Sequence, residues 1–298
     1  MGNLSLKTVL SDAESALRSL PEASAALIIA DPPFPTDNMS ARDREEYFEF
    51  CRGWIEQSAR VLREDGTIYV FMSMREISHI HRFLEEAGLT FNSWITRTYP
   101  NGTGKVKGFS NRHDDILMFT KSPKDFIFNL DDIRVPQKFY RSVNNMRGAN
   151  PGNVWDFSGI SRHAAPTQKP EALYERMILA SSNPGDTVID LFTGSGTGLR
   201  VCQQTGRNGI GIDDDPACIA ATQRRLETEF TGFDSIDERM YRVPGDMNDP
   251  ELREEYIENH IRWFLKNHPD AVQKFLDDVY VKYRRHDREE VQLSMFDL

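Results

Sequence analysis

Short apolar runs alternate with amphipathic segments along this chain, and that alternation constrains the fold more than any other feature of the sequence. The run over residues 26–30 is continuously apolar and stops abruptly at an Asp-Pro-Pro turn, as a parallel strand buried on both faces does. Apolar side chains at helical spacing follow over 43–63 and 75–87, with another apolar run between them over 67–72. Strands separated by helices predict an α/β fold with a doubly wound, mostly parallel sheet.

The same alternation is sharper in the second half of the chain. We expect strands over 91–99 and 116–120, a helix over 171–182, a strand over 186–192, a helix over 198–204, a strand over 209–212 and a helix over 216–227. The last five of these elements form the kind of series in which each helix crosses over to the next parallel strand.

Two segments lack this periodicity and divide the chain. Residues of about 100–162 are rich in Gly, Asn, Lys and Arg, which is typical of an inserted, loop-rich segment. Apolar residues threaded through dense charge predict a small helical appendage near the C-terminus. We therefore expect one domain over 1–232 that carries the insert, followed by a C-terminal helical extension over 233–298.

Two classes of protein are not expected from this sequence. No run approaches the roughly 18 apolar residues of a membrane span, and no secretory signal is visible, so we expect a cytoplasmic protein without a membrane partner. A metal site is not expected either, because no paired spacing relates the three cysteines, which are Cys51, Cys202 and Cys218.

The charge of the chain is unevenly distributed. A net charge of −10 by itself argues against a protein that binds nucleic acid. Between Arg97 and Arg147, however, there are ten Lys or Arg and five Asp, so that this window carries +5 and the remainder −15. A basic island on an acidic body can bind phosphate groups, with Lys105, Lys107 and Arg112 as the candidate contacts. The alternative is a solvated loop region that happens to be basic.

A glycine-rich turn follows the strand expected over 186–192. Its spacing, Gly194-x-Gly196-x-Gly198, is one residue short of the Gly-x-Gly-x-x-Gly pattern of dinucleotide sites. Small residues let the backbone approach a ligand, and the N-terminus of the next helix attracts an anion. A nucleoside cofactor with a carboxylate in place of a pyrophosphate, such as S-adenosylmethionine (SAM), suits the shorter turn. The candidate cofactor contacts are Asp190, Phe192, Gly194, Ser195, Gly196 and Thr197.

The strand after the glycine turn ends in a carboxylate, Asp213, about twenty residues beyond the glycines. An acid at that position accepts hydrogen bonds from ribose hydroxyl groups in nucleotide-binding sheets. The alternative role is that of a helix N-cap, but Asp215, directly before Pro216, fits that role more naturally. We therefore expect Asp213 to contact the cofactor.

The turn at Asp31-Pro32-Pro33-Phe34 is the candidate catalytic element. It follows a buried strand, so it lies at the carboxyl edge of the sheet, where open α/β folds bind ligands. Two prolines stiffen the turn, and the Asp31 carboxylate with the Pro32 carbonyl offers two acceptors for the hydrogens of an amino group. Phe34 adds a flat face against which a base can stack. Taken alone, the four residues are equally typical of a rigid turn.

Together these motifs resemble the β-class SAM-dependent DNA amino-methyltransferases. The turn over 31–34 is similar to their [DNS]-P-P-[YFW] catalytic motif, and Phe192-Thr-Gly-Ser-Gly196 is similar to their F-x-G-x-G cofactor motif. The segment Pro166-Thr-Gln-Lys-Pro170 resembles the stretch that precedes the cofactor motif in this class. The catalytic motif comes first, the variable target-recognition insert second and the cofactor motif last, which is the circularly permuted order of the β class.

The resemblance implies an activity and a set of site residues. It implies site-specific transfer of a methyl group from SAM to the exocyclic amino group of a flipped base in double-stranded DNA. The Asp of the catalytic motif favours adenine N6 over cytosine N4. It also implies that the insert reads DNA and that Thr167, Lys169 and Asp12 join the cofactor pocket. The sequence leaves open whether a restriction–modification system includes the enzyme, and whether it forms a homodimer.

Two departures from the family pattern and two rival functions accompany this interpretation. Phe34 stands where Tyr is commoner, and Gly198 stands where Thr is commoner, which puts one cofactor contact in doubt. The rivals to a DNA enzyme are an RNA or protein-glutamine methyltransferase and a non-catalytic DNA-binding module that has kept the fold. The motif order and the basic insert argue against the first, and the intact Asp31 and glycines argue against the second.

The last residues of the chain resemble a second motif. The sequence Gln-Leu-Ser-Met-Phe is similar to the peptide by which many bacterial DNA-processing proteins bind the DNA sliding clamp. The resemblance assigns clamp contact to four residues, Gln292, Leu293, Met295 and Phe296. The alternative is that Met295 and Phe296 dock on the chain's own domain.

Overall fold

The apolar runs of the sequence form one eight-stranded sheet in a computed structural model that describes residues 4–35, 39–98, 106–135, 148–157 and 168–229. The strands are β1 (Leu6–Leu10), β2 (Ala25–Ala30), β3 (Leu62–Met72), β4 (Thr90–Thr98), β5 (His113–Thr120), β6 (Val154–Asp156), β7 (Thr187–Leu191) and β8 (Asn208–Asp213). Their order across the sheet is β1-β8-β7-β2-β3-β5-β4-β6. Only β5 pairs antiparallel with its two neighbours, so the predicted doubly wound, mostly parallel sheet is confirmed.

Helices cover both faces of this sheet. They are α1 (Ala13–Ser19), α2 (Ala41–Val61), α3 (Ile77–Glu86), α4 (Glu171–Ser181), α5 (Thr197–Thr205) and α6 (Pro216–Glu227), with a short 3-10 helix at Leu130–Ile133. Local chemistry sets two of the N-termini. A capping box between Ser40 and Asp43 begins α2, and Asp215 caps α6 directly before Pro216. The N-cap role is therefore that of Asp215, as expected.

The continuous apolar run of β2 is explained by burial on both faces. Ile28 and Ala30 lie in the core between the sheet and the helices α1 to α3. Leu27 and Ile29, which point the other way, lie in a second core with residues of α4 and α5. Because both faces are covered, the strand needs no polar alternation.

The predicted elements recur with shifted ends, and some elements were missed. The strand expected from residue 67 begins at Leu62. Its start was missed because its first residues include a polar stretch, Arg63-Glu-Asp-Gly66, that is typical of a turn. Strand β1 was not predicted because Lys7 and Thr8 interrupt its apolar run, and helix α1, with seven residues, is too short for a clear period. The three-residue strand β6 was missed for the same reason.

Part of the predicted insert belongs to the sheet. Strand β5 was expected over 116–120 and lies between β3 and β4, although the insert was placed at about 100–162. Among the helices of the described residues, none combines the length and apolarity that a bilayer crossing requires. Lys105, Thr167, the predicted extension over 233–298 and the four residues predicted there to bind the clamp lie outside the described ranges.

Candidate active site

The strand order reverses between β2 and β7, and a cavity of about 990 Å³ opens at that point. Sequence order runs β7, β8 on one side of the reversal and β2, β3 on the other, which leaves a crevice beyond the carboxyl ends of the central strands. Both sequence motifs line the cavity, the first through Asp31 and Phe34 and the second through Phe192 and Gly194. Asp12 at the start of α1 and Asp213 at the end of β8 also line it. The two motifs, separated by about 160 residues in the chain, therefore share one site.

The catalytic turn continues directly from the β2 ladder. The Asp31 amide donates to the Leu191 carbonyl of β7 at 3.5 Å, which ties the turn to the neighbouring strand. Pro32 is buried, whereas the Phe34 side chain faces the cavity and is 40% exposed. An aromatic face and a fixed carboxylate thus meet at the cavity wall.

Lys169 grips the Asp31 carboxylate. Its ammonium lies 2.8 Å from Oδ2 and 3.0 Å from Oδ1, and the two side chains are only 14% and 18% exposed. The same ammonium lies 5.0 Å from the ring centre of Phe71 and 5.6 Å from that of Phe34. The predicted cofactor residue is therefore, in this structure, the ion-pair partner of the predicted catalytic residue.

Opposing effects act on the pKa of Asp31. Burial raises the pKa of this carboxyl above its ordinary value, and the ammonium of Lys169 opposes the rise. Asp114 adds to the rise and Arg97 opposes it. Those two residues pair with each other at 2.8 Å near the site, so their effects on Asp31 partly cancel. Lys169 is accordingly the main group that favours the ionised form.

The glycine turn follows β7 and uses left-handed backbone. Phe192, Gly194 and Gly196 have φ values of +64°, +53° and +80°. For Phe192 this conformation is costly, and it persists because its ring packs edge-on against Trp54 at a centroid distance of 5.8 Å. Residues 192, 194, 195 and 197 line the cavity, as predicted for a cofactor turn.

Two predicted cofactor residues of this turn are not among those that line the cavity. Gly196 packs against α6, where a Cβ would lie 2.7 Å from Cγ2 of Thr222. Asp190 is 1% exposed and lies beneath the turn, where its Oδ2 accepts from the Thr193 hydroxyl and the Gly198 amide. Both residues support the turn on the side away from the cavity. Gly196 does so against α6, and Asp190 does so because the alternation of side chains along β7 directs it away from the cavity.

The Gly198 departure from the family pattern has a local explanation. A Cβ at Gly198 would lie 2.5 Å from Oδ2 of Asp190, and Gly198 does not line the cavity. The position faces the buried carboxylate, so it bears on support of the turn and not on a direct cofactor contact. Burial raises the pKa of Asp190 to about 7, and its buried Oδ1 has no hydrogen-bond partner in the part of the chain that the structure describes.

Asp213 and Asp12 both reach the cavity. Asp213 accepts from the Gly194 amide at 2.8 Å and from the Asp215 amide at 3.0 Å, which leaves acceptor capacity on each oxygen. Asp12 caps α1 by accepting from the Ser15 amide at 2.8 Å, and this bond lowers its pKa. Each carboxylate is thus held in place by backbone donors while its side chain borders the cavity.

Several residues of the site were missed by sequence reasoning. Arg225 of α6 donates to Ser195 and Thr197 and forms an ion pair with Glu171 at 2.5 Å, so it braces the glycine turn. One face of α2 also borders the cavity, through Asp43, Glu46, Tyr47 and Phe50, together with Met39 just before the helix. The apolar period of α2 identified its buried side, but no local signal distinguishes a cavity wall from ordinary core.

The basic island is partly used inside the protein. Arg97, Lys121 and Arg134 donate to groups of the protein itself, namely Asp114, the Ala59 carbonyl and Asp131. Lys107 and Arg112, the described members of the predicted DNA-binding set, are exposed. The charge count of the window therefore overstated the number of cations that face solvent.

A doubly wound sheet with a nucleoside-type glycine turn and a carboxylate at its reversal point defines a Rossmann-like SAM-dependent methyltransferase. The chain belongs to the DNA methylase family of N6 and N4 enzymes, whose pattern matches residues 25–224.

Known proteins agree with this assignment. The type II methyltransferase M.HpaI of Haemophilus parainfluenzae is 55% identical over 291 residues, which are 93% of this chain and 92% of that protein. The DNA adenine methyltransferase YhdJ of Escherichia coli (strain K12) is 34% identical over 76% of this chain and 84% of its own. The crystal structure of an M1.HpyAVI–SAM complex superposes with a TM-score of 0.57 at 26% identity, covering 75% of this chain and 100% of that one. This chain is a SAM-dependent DNA methyltransferase.

The residues at the cavity fit SAM. The volume is at the upper end of the range for small-molecule sites, so it can hold a nucleoside cofactor together with a base. Left-handed glycine backbone at Gly194 brings the chain close to a ligand, and Asp213 and Asp12 offer acceptors for hydroxyl and amino groups. The described residues hold no cluster of side chains suited to a metal ion.

Proposed function

We propose that this methyltransferase acts on the N6 amino group of adenine in double-stranded DNA. The observation that carries the proposal is the buried Asp31 carboxylate at the cavity, next to a turn that fits SAM. The Asp-Pro-Pro-Phe form of the catalytic motif favours adenine, and YhdJ, a relative over most of this chain, is named a DNA adenine methyltransferase.

The catalytic turn supplies the acceptors that an amino group needs. The lone pair of an adenine amino nitrogen is delocalised into the ring, so the nitrogen is a weak nucleophile. Hydrogen bonds from its two N–H groups to the Asp31 carboxylate and the Pro32 carbonyl favour a pyramidal nitrogen with a directed lone pair. When bound, SAM supplies an electrophilic methyl group on a sulfonium that is a good leaving group. Positioning of the two reactants then accounts for much of the rate.

Lys169 controls the charge of the Asp31 carboxylate in this proposal. In the free protein its ammonium contacts both oxygens of Asp31 and favours the ionised form of this carboxylate against the effect of burial. Each oxygen accepts one of these contacts, so the carboxylate keeps acceptor capacity for a hydrogen of the amino group. After transfer, the methylated nitrogen loses a proton, for which Asp31 is the nearest acceptor of the catalytic turn.

The target base must leave the duplex before it can reach Asp31. An amino group stacked inside the duplex cannot reach a carboxylate at the wall of a cavity, and flipping a base costs about a few kcal/mol. Phe34, exposed by 40% at the cavity wall, provides a ring on which the flipped base can stack.

The proposal is tested by nucleoside mass spectrometry of DNA after incubation with the protein and SAM. We expect N6-methyladenine with the wild-type protein and none with Asp31→Ala. N4-methylcytosine in its place would keep the mechanism and change the target. Methylation of RNA in preference to DNA in a competition assay would contradict the proposal.

The clamp interaction predicted for the C-terminal residues is a separate proposal. It rests on the similarity of Gln292, Leu293, Met295 and Phe296 to a clamp-binding peptide. A labelled peptide of residues 292–298 should bind purified sliding clamp, and a failure to bind at high micromolar concentration would exclude the interaction. The cytoplasmic location also stays a prediction. Sedimentation would answer whether the protein forms a homodimer, a question that the sequence leaves open.

A further inference from the structure

We propose that the segment Val106–Arg112, here called the 106–112 loop, inserts the Phe109 ring into the DNA duplex when the target base is flipped. The inference rests on the proposed function, because it assigns a DNA contact to the same reaction. The partner of the 106–112 loop is the DNA duplex, at the gap that the flipped base leaves in the stack.

The loop exposes apolar side chains to an unusual degree. Phe109 is 99% exposed and Val106 is fully exposed, whereas the other large apolar side chains that protrude from the described residues are exposed by 36% to 65%. Burial of an aromatic ring removes apolar surface from water, so a fully exposed Phe stabilises a complex in which a partner covers it. Gly108, with a φ of +87°, turns the chain directly before Phe109.

The sheet topology places the loop on the side of the molecule where Asp31 lies. The loop precedes β5, whose first residues pair with the carboxyl end of β3 at Met72 and Asp115. Strand β3 in turn pairs parallel with β2, with Ala30 opposite Val70, and Asp31 follows directly. Arg97 and Asp114, at the base of the same loop, are close enough for their charges to affect the pKa of Asp31. The loop and the cavity thus lie at the same edge of the sheet, so a duplex bound at the cavity can reach the loop.

The charge of the loop fits a phosphate backbone. Lys107 and Arg112 flank Phe109, both are exposed, and residues 106–112 include no acid. Cations that contact phosphates position a protein on the duplex without reading its sequence. Apolar side chains that insert between base pairs unstack them, and the energy lost is recovered through new contacts. A basic loop with a protruding aromatic ring combines both properties.

The chain offers a matched control for this role. Phe128 is also an exposed phenylalanine, at 39%, but it follows the other end of β5, where Thr120 pairs with Thr67 at the start of the β3 core. It lies on the edge of the sheet opposite to Asp31. Removal of its ring should therefore leave DNA methylation unchanged.

The experiment compares Phe109→Ala and Phe128→Ala on two unmethylated duplexes, each of which contains a site that the wild-type protein methylates. In one duplex the target base is paired, and in the other it faces an abasic position, which lowers the cost of flipping. We expect Phe109→Ala to reduce kcat/KM by about 10- to 100-fold on the paired duplex. On the abasic duplex the reduction should be less than about threefold, and Phe128→Ala should match the wild type on both.

Two further measurements exclude indirect effects. SAM binding by calorimetry should be the same for the wild type and Phe109→Ala, and Phe109→Trp should restore most of the activity. An equal loss on the paired and abasic duplexes, or no loss on either, would overturn the inference while the wild-type activity leaves the proposed function in place. If the wild-type protein methylates no DNA at all, the proposed function fails and the inference fails with it.

Discussion

The catalytic turn after β2 and the glycine turn after β7 leave neighbouring strands, and each is associated with a buried carboxylate in a different environment. Asp190 of β7 lies opposite Ile29 of β2 in the ladder between the two strands. Ile29 precedes Asp31 by two residues, so the two carboxylates lie near the same edge of the sheet. Asp31 is paired with the Lys169 ammonium and borders the cavity. Among the described residues, Asp190 accepts from the neutral donors of Thr193 and Gly198, and its other oxygen has no hydrogen-bond partner there.

The difference shows how one sheet edge places two carboxylates in opposite electrostatic environments. A cation within hydrogen-bond distance favours the ionised form, whereas burial among neutral groups favours the protonated form. Burial raises the pKa of both groups, but only for Asp31 does an adjacent ammonium act against that rise. We infer that Asp31 is the acceptor for the substrate and that Asp190 holds the glycine turn.

The largest expected effect separates the two carboxylates by activity. Asp31→Asn removes the charged acceptor and should lower kcat by roughly 10²- to 10⁴-fold. Asp190→Asn keeps the shape and the acceptor oxygen, so its kcat should stay within about fivefold of the wild type. Single-turnover methylation assays measure both, with SAM binding as the control for correct folding. Equal losses in the two variants would break the comparison.

The second prediction separates the carboxylates by the pH dependence of stability. The folded-state pKa of Asp190 is about 7 against an ordinary value of 3.8, so the folded protein binds an extra proton between these values. Stability from this group is complete below about pH 4 and is lost as the pH rises through about 7. Relative to Asp190→Asn, the wild type should lose up to about 4 kcal/mol across that range. Urea unfolding at pH 5 and pH 8 measures the change, and parallel curves for the two proteins would contradict it.

A third prediction concerns the support of the glycine turn. Gly196→Ala combines a positive φ with a contact of 2.7 Å to Thr222, whereas Gly194→Ala meets no atom closer than 3.9 Å. Gly196→Ala should therefore cost about 1–3 kcal/mol of stability more than the strain common to both variants. Thermal unfolding with and without SAM tests the order, and a larger cost for Gly194→Ala would show that the turn is supported differently.

The smallest effect concerns the charge on Asp31 itself. Removing the ammonium in Lys169→Met should raise the pKa of Asp31 further, so that the carboxylate is lost at a higher pH as the solution is acidified. The acid limb of the single-turnover rate should move to higher pH, with Lys169→Arg closer to the wild type. Arg97, Asp114, Asp190 and Tyr174 also interact with this carboxylate and are unchanged in both variants. An unmoved acid limb in Lys169→Met would show that Lys169 does not control the ionisation of Asp31.

The sequence by itself determined the strands that carry both motifs and the class of chemistry. A continuous apolar run that ends at Asp31, and another that ends at the glycine turn, reflect local burial, which periodicity records directly. The conformation of the turns is also local, since prolines restrict one and left-handed glycines form the other. The doubly wound sheet, the cofactor turn and the candidate catalytic Asp could therefore be predicted.

Only the tertiary structure decided which side chains meet. Lys169 reaches Asp31 across 138 residues, and Arg225 reaches Ser195 across 30. Neither pairing has a local signal, because periodicity reports which face is buried and not which residue lies opposite. The same reason explains why Asp190 was assigned to the cofactor and Arg97 to the basic surface. Their orientation depends on the pairing of β7 with β2 and of β4 with β5, which the packed sheet alone defines.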